Sequence, residues 1–233
     1  MPMTWFRFFG GKDKPLASEE HVEILRKGVE VWNQWRLEQE DSLRPNLAEA
    51  DLAGLDLSAA NLSRADLGGA DLRNTDLKGA NLHRAGMGDA YLEDADLTGA
   101  DLTRAEARGV HLQGAALNAV DLTDADLSRA NLQGTILRRA KLRGADLTYA
   151  DLKGADLTDA DLTDVDLADA DLTEAVLDNA NLTDTDLRYV GPDPLQDDIS
   201  RARGLSQSQV DSAKGTTEVQ LPPGLEYPES WTS

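Results

Sequence analysis

From Leu47 to Leu187 an apolar residue falls on every fifth position: of these 29 register positions 27 are Leu, and only Met87 and Ala107 differ. A second apolar row runs two residues ahead of the first. There 21 of the 29 are Ala, and most exceptions are Leu55, Thr75, Val110, Val120, Thr135, Val165 and Thr185. The position just before the register is Asp or Asn in 21 of 29, so the pentad reads Ala-Asp-Leu-x-x. A period of five fits neither regular element. On an α-helix, Leu residues five apart would sit ~140° apart and smear around the axis. In a continuous strand, an odd period sends alternate Leu to opposite faces. The pattern therefore predicts a bend once per pentad, which aims every Leu and every preceding Ala inward. If each bend is about a right angle, four pentads close a coil, and the coils stack as parallel ladders ~4.8 Å apart. Seven such coils make a rod roughly 34 Å long.

Glycine and proline agree with this reading. Nine of the 19 Gly fall two residues after the register (Gly54, Gly69, Gly79, Gly99, Gly109, Gly114, Gly134, Gly144, Gly154), where a corner needs a permissive backbone. The chain has eight Pro, yet none lies between Asn46 and Gly191. A ladder that uses the N–H groups of every coil excludes it.

These residues resemble the pentapeptide-repeat family, and the resemblance covers residues 45–190. It implies an all-β solenoid, a right-handed quadrilateral parallel β-helix of about seven coils, and it implies little about function. The ends are expected to carry caps, because a stacked solenoid exposes an unpaired edge and an open core at each end. Residues 1–17 form an aromatic and basic lead-in, and residues 18–44 are expected to be a helical N-terminal cap. Ser18 before Glu19 and Glu20 suits a helix start, and Val22, Leu25, Val29 and Trp32 then recur at helical spacing, with Trp35 nearby. Residues 191–233 are expected to supply short cap helices and an extended tail. Asp193-Pro194 begins one helix with Leu195, Ile199 and Ala202 on a face and Gly204 as its stop. Ser206 with Gln209 has capping-box form for a second through Ala213, and the tail from Leu221 to Trp231 reads as a strap.

Charge narrows the partners. With 23 Lys+Arg against 43 Asp+Glu the net charge is -20, which disfavours direct binding to nucleic acid or an anionic membrane and favours a basic protein surface. No cysteine is present, which fits a reducing compartment. No stretch has the apolar length to span a bilayer, and the start lacks a secretory signal, so the chain is read as cytoplasmic.

No catalytic, cofactor or metal site is expected. His21, His83 and His111 lie far apart with no metal-type spacing. Sixteen of the carboxylates are the pentad's own Asp, so paired acids arise by periodicity and do not signal acid–base chemistry. Once the repeat is subtracted, two candidate partner-contact features remain. If residues 20 apart stack, Tyr91 and His111 lie beside Ala116 and Ile136 on adjoining faces, and the acidic pattern lapses there. The second is the distal end: residues 145–190 hold 13 acids and 2 bases against 15 and 11 in residues 45–144. There Asp159, Asp164, Asp169, Glu174 and Asp184 extend the negative charge beyond the repeat's own Asp. A basic column, Arg64, Arg84 and Arg104, runs along the other half.

The reading that follows is a non-catalytic structural or protein-interaction scaffold, monomeric or a homodimer. A solenoid with a Leu core offers a long rigid surface and no deep pocket. One alternative, which the resemblance implies, is a DNA mimic acting on a type II topoisomerase such as gyrase. Rod shape and acidity favour it, while the nearly all-Leu core, the uninterrupted array and the one-ended charge oppose it. A second alternative is a peripheral membrane tether through Trp5, Phe6, Phe8 and Phe9.

Overall fold

The structure is a computed structural model and describes residues 17–40, 42–187, 206–216, 219, 221 and 224–231. Between Asn46 and Asp186 each residue before the register forms a parallel bridge to its equivalent 20 residues on, from Asn46↔Asp66 to Asp166↔Asp186. Four pentads therefore close one coil, and the flat sides stack into four faces. Face A carries Asn46, Asp66, Gly86 and their successors; face B starts at Asp51, face C at Asp56 and face D at Asn61. The register residues and the Ala row fill the interior; Leu52, Leu62, Leu97 and Leu117 are all completely buried or nearly so. Met87 and Ala107, the two register residues that are not Leu, follow one another in one column, and both are buried. Three Thr enter the interior, and each hydroxyl donates to a backbone carbonyl: Thr75 to Leu52 at 3.2 Å, Thr135 to Leu132 at 2.8 Å and Thr185 to Leu162 at 2.8 Å.

The backbone accounting explains the pentad. The register N–H donates to the next coil (Leu47 to the Asp66 carbonyl, 2.7 Å), as does the N–H two residues later (Glu49 to Gly68, 2.9 Å). The third closes the corner (Ala50 to Leu47, 3.1 Å), and the N–H before the register donates to the previous coil (Asp66 to Pro45, 2.8 Å). One N–H per pentad is left, that of the residue just after the register. The Asp or Asn before the register accepts it: from Asn46 to Asn181 every one does so, at 2.9 to 3.3 Å. The short carboxylate or amide reaches its own backbone two residues on, as in an Asx turn. The acidic consensus is a corner brace.

The corners have positive φ at the second residue after the register, the geometry of a type II turn. Glycine supplies only nine of these positions, fewer than the glycine argument alone would need. Nineteen others, Asp, Arg, Asn, Ala, Glu and Tyr among them, adopt the same left-handed conformation at φ 51° to 62°. Asp and Asn tolerate it by local hydrogen bonding; at the rest, the fully bonded ladder on both sides holds the corner.

Two helices lie at the first coil, α1 (Glu19–Arg26) and α2 (Val29–Leu37). The sequence expects one helical stripe; the chain breaks it at Gly28, whose φ of 110° lets the second helix start at a new angle. Leu25 and Trp32 are still both buried against the coil. Side chains from these helices bond the exposed edge: the Trp32 indole N–H donates to the Asn61 carbonyl at 2.8 Å, and Arg26 donates to Asp51 at 2.8 Å. Asn33 both donates to the Ala59 carbonyl and accepts the Asn61 N–H, and His21 Nδ1 accepts the Asn46 N–H at 3.0 Å.

At the other end, α3 (Gln207–Ser212) begins with the expected capping box of Ser206 and Gln209. The segment after it returns to the stack. Lys214 donates to the Ala180 carbonyl and accepts from Leu182 N–H, both at 2.7 Å, in a parallel bridge with Asn181. Val210, Ala213, Val219 and Trp231 are buried there, and Trp231 donates to the Ala213 carbonyl at 3.1 Å. The helix expected from Asp193 lies outside the described residues, as does the N-terminal aromatic cluster.

Candidate functional site

The residue before the register departs from Asp or Asn at eight positions: Gly86, Tyr91, Glu106, His111, Ala116, Ile136, Lys141 and Val176. At each, the corner brace is missing. Five of the eight lie on faces B and C, and Tyr91, His111, Ala116 and Ile136 flank the corner those two faces share. The Tyr91 and His111 rings stack with centroids 4.9 Å apart and planes 11° apart. Tyr91 is 42% and Ile136 39% exposed. Between the two faces, Gly114, Gly134 and Gly154 follow one another up the corner, so its left-handed position bears no side chain at those three levels.

The same corner collects unsatisfied polar groups. With the brace gone, the N–H groups of Glu93 and Gln113 have no acceptor among the described residues. Glu93 Oε2 and Gln113 Oε1 are buried and unpartnered as well. Charged neighbours frame the patch. Beside Tyr91, Asp71 is held below the ordinary carboxylate range by its hydrogen bond from Arg73, whose own guanidinium is pushed further up by the same contact. On face C, burial pushes Asp96 up, but the Thr98 hydroxyl and N–H and the Lys78 ammonium outweigh it and leave the carboxyl low. Asp156, above Ile136, is low for the same reasons, with burial opposed by Thr158 and Arg138.

The distal acids are not brought together in this way. Asp159, Asp164, Asp169, Glu174 and Asp184 all occupy left-handed corner positions. Successive ones turn around the stack, so four corners carry them and they form a collar. Asp164 is engaged by Arg143 at 3.2 Å. Part of the excess acidity follows from the corner geometry, which Asp tolerates better than most residues.

His21, with no role visible in the sequence, is a hydrogen-bond acceptor for the first coil. Nothing periodic marks it, nor Asn33 or Arg26. His83 Nδ1 meets the Thr103 hydroxyl at 2.6 Å on face D. Among the described residues no group of His, Asp or Glu has the arrangement to hold a metal ion, and no helix is long and apolar enough to cross a membrane.

The model of the pentapeptide repeats matches in eight copies, over residues 46–84, 87–124, 125–164 and 160–190. No curated protein sequence matches the chain. Among solved structures the chain is similar to HetL, a pentapeptide repeat protein involved in heterocyst differentiation regulation from the cyanobacterium Nostoc sp. strain PCC 7120. The identity is 29% over 68% of this chain and 85% of that one, with a TM-score of 0.40. A pentapeptide repeat protein of the Arabidopsis thaliana thylakoid lumen is 34% identical over 46% of this chain and 68% of that one, TM-score 0.35. QnrB1, a plasmid-mediated fluoroquinolone resistance protein, is 18% identical over 78% of this chain and 91% of that one, TM-score 0.37.

Proposed function

We propose that this chain, which belongs to the pentapeptide-repeat family, is a non-catalytic scaffold: a right-handed rod of about seven coils, capped at both ends, that holds a partner protein on its BC corner. The rod is residues 45–190, with a helical cap at 18–44 and a second cap within 191–233. The carrying observation is the set of orphaned groups beside Tyr91 and His111: two buried side-chain oxygens, of Glu93 and Gln113, and two free backbone N–H groups. An unmade bond of this kind costs about 1–3 kcal/mol, and the repeat makes it everywhere an Asp or Asn stands. A partner that lays acceptors on the two N–H groups and an apolar surface on Tyr91 and Ile136 relieves that cost. The missing side chains at Gly114 and Gly134 lower the corner between the two faces and let the partner reach both.

The test uses the repeat's own residue. Tyr91→Asp with Ile136→Asp restores two corner braces, so stability holds or rises by about 1 kcal/mol. Capture by this double variant from the native host is compared with capture by the wild type. The partner bound by the wild type is lost from the variant; equal recovery of the same partner by both would refute the reading.

A second reading draws on face A, where Asp66, Glu106, Asp126, Asp146, Asp166 and Asp186 give a nearly continuous acidic row at ladder spacing. Such a row on a rigid rod suits the DNA-mimic alternative. A gyrase supercoiling assay tests it: inhibition by wild type that is relieved on neutralising Asp126 and Asp146 supports it, and no effect at high protein concentration rejects it.

A further inference from the structure

One corner of the rod is charged in a self-complementary order. The DA corner carries, coil by coil, Arg44, Arg64, Arg84, Arg104, Asp124, Gly144, Asp164 and Asp184. The four Arg line one shallow groove of about 320 Å³, in which Glu106 is the single acid. Arg104 is paired with Asp124 at 3.3 Å, whereas Arg44, Arg64 and Arg84 form no ion pair among the described residues. Asp184 forms none either, and Asp164 and Asp124 keep about half their side-chain surface exposed, 47% and 50%. Three unpaired guanidiniums in a column make a local positive strip on a chain whose net charge is -20, and such a strip attracts an acidic surface.

The acidic object must present charges at the coil spacing, ~4.8 Å. A second copy of this rod does so by construction, because its corners rise by the same repeat. Laid antiparallel along the DA corner, the two copies share a two-fold axis between the levels of Arg104 and Asp124. Arg44 then faces Asp184, Arg64 faces Asp164, Arg84 faces Gly144 and Arg104 faces Asp124, each pairing occurring twice, as an isologous contact requires. Three of four levels are opposite charges and none sets like against like. A parallel arrangement sets Arg on Arg at every proximal level. We infer that this protein self-associates as an antiparallel, edge-to-edge homodimer through the DA corner. The contact is independent of the BC corner, which lies on the opposite edge and stays free in both copies.

Sedimentation of the full chain tests this. At about 0.1 M salt and about 100 μM protein a dimer forms, and raising salt to about 1 M, which shortens screening from ~10 to ~3 Å, weakens it by about tenfold or more. Arg64→Asp and Asp164→Arg each weaken it by about tenfold, since either reversal spoils two pairings. Both are corner positions of a kind this chain already fills with Asp and with Arg, so the fold accommodates either change. An equimolar mixture of the two variants restores dimer at wild-type strength, as does the double variant carrying both. Small-angle scattering of the dimer shows a thicker particle of nearly unchanged length. A monomer at every salt concentration, a dimer of doubled length, or a dimer that the reversals leave intact or that the mixture fails to recover would overturn the inference.

Discussion

The two ends of the stack face the same problem and solve it with different parts of the chain. At the first coil the orphaned carbonyls and N–H groups are met mainly by side chains, the indole of Trp32, the amide of Asn33, the guanidinium of Arg26 and the imidazole of His21, with the Ala17 and Ser18 N–H groups donating to the Ala48 and Asn46 carbonyls just before α1. At the last coil they are met by backbone, as Lys214 takes the place that a further pentad would have filled beside Asn181. Among the described residues only Gln209 adds side-chain bonds to the last coils, to the Leu172 and Ala175 carbonyls at 3.1 and 2.8 Å. A helix has no free backbone donors along its flank, so a helical end must reach the edge with polar side chains. An extended segment carries its own. The first solution therefore depends mostly on particular residues and the second mostly on main-chain conformation.

The largest expected effect is at the side-chain end. Trp32 is fully buried, belongs to the hydrophobic core and satisfies one carbonyl of the first coil, so Trp32→Ala should cost about 3–5 kcal/mol in urea unfolding. A cost below about 1 kcal/mol would mean that the first coil stands without its helices. The backbone end should respond to a different chemistry. Lys214→Ala keeps both ladder bonds and should change stability by less than about 0.5 kcal/mol, whereas Lys214→Pro removes the donor to Ala180 and should cost about 1–3 kcal/mol. Equal effects of the two substitutions would show that the Lys214 side chain, and not its backbone, closes the stack.

The interior was fully legible because every pentad repeats the same instruction, so 27 Leu in 29 register positions leave one way to bury them. Stacking at 20 residues was legible too, and with it the meeting of Tyr91 with His111. The corners were only half legible. Glycine marks nine of them, but the residues at Arg64, Tyr149 or Glu174 carry no local sign of left-handed backbone, since the bonds that hold them come from the coils above and below. The ends escape periodicity altogether. His21 and Asn46 are joined through space by a contact that no spacing encodes, and Lys214 meets Asn181 only after an excursion of the chain. The DA corner was partly visible as Arg64, Arg84 and Arg104. Charge counted by segment separates those Arg from Asp164 and Asp184, although they share one column.

The smallest expected effect distinguishes the two halves by pH. Asp56, Asp71 and Asp96, in the first coils, are each held below the ordinary value of 3.8. For Asp56 the Ser58 hydroxyl and N–H are the main cause, and for Asp71 the Arg73 hydrogen bond; at Asp96 burial opposes the shift and is outweighed by Thr98 and Lys78. A carboxyl that is more acidic folded than unfolded contributes stability above its unfolded value, and loses that contribution as pH falls through its folded value. The proximal coils should therefore hold their stability from neutral pH down to about 4 and lose it below. The distal coils carry 13 acids against 2 bases, so they gain from the relief of mutual repulsion over the same descent. Their one acid with a resolved shift, Asp156, is itself lowered: burial opposes the shift, and Thr158 and Arg138 outweigh it, which limits the gain. Because these groups are largely solvent-exposed, the change is small and is best read locally. Hydrogen exchange followed by fragment between pH 3 and pH 5, corrected for the intrinsic rate, should show protection falling in residues 50–100 relative to residues 145–185 as the pH is lowered. A uniform change along the rod would mean that the braces at the two ends titrate alike and that the asymmetry of charge has no consequence for the fold.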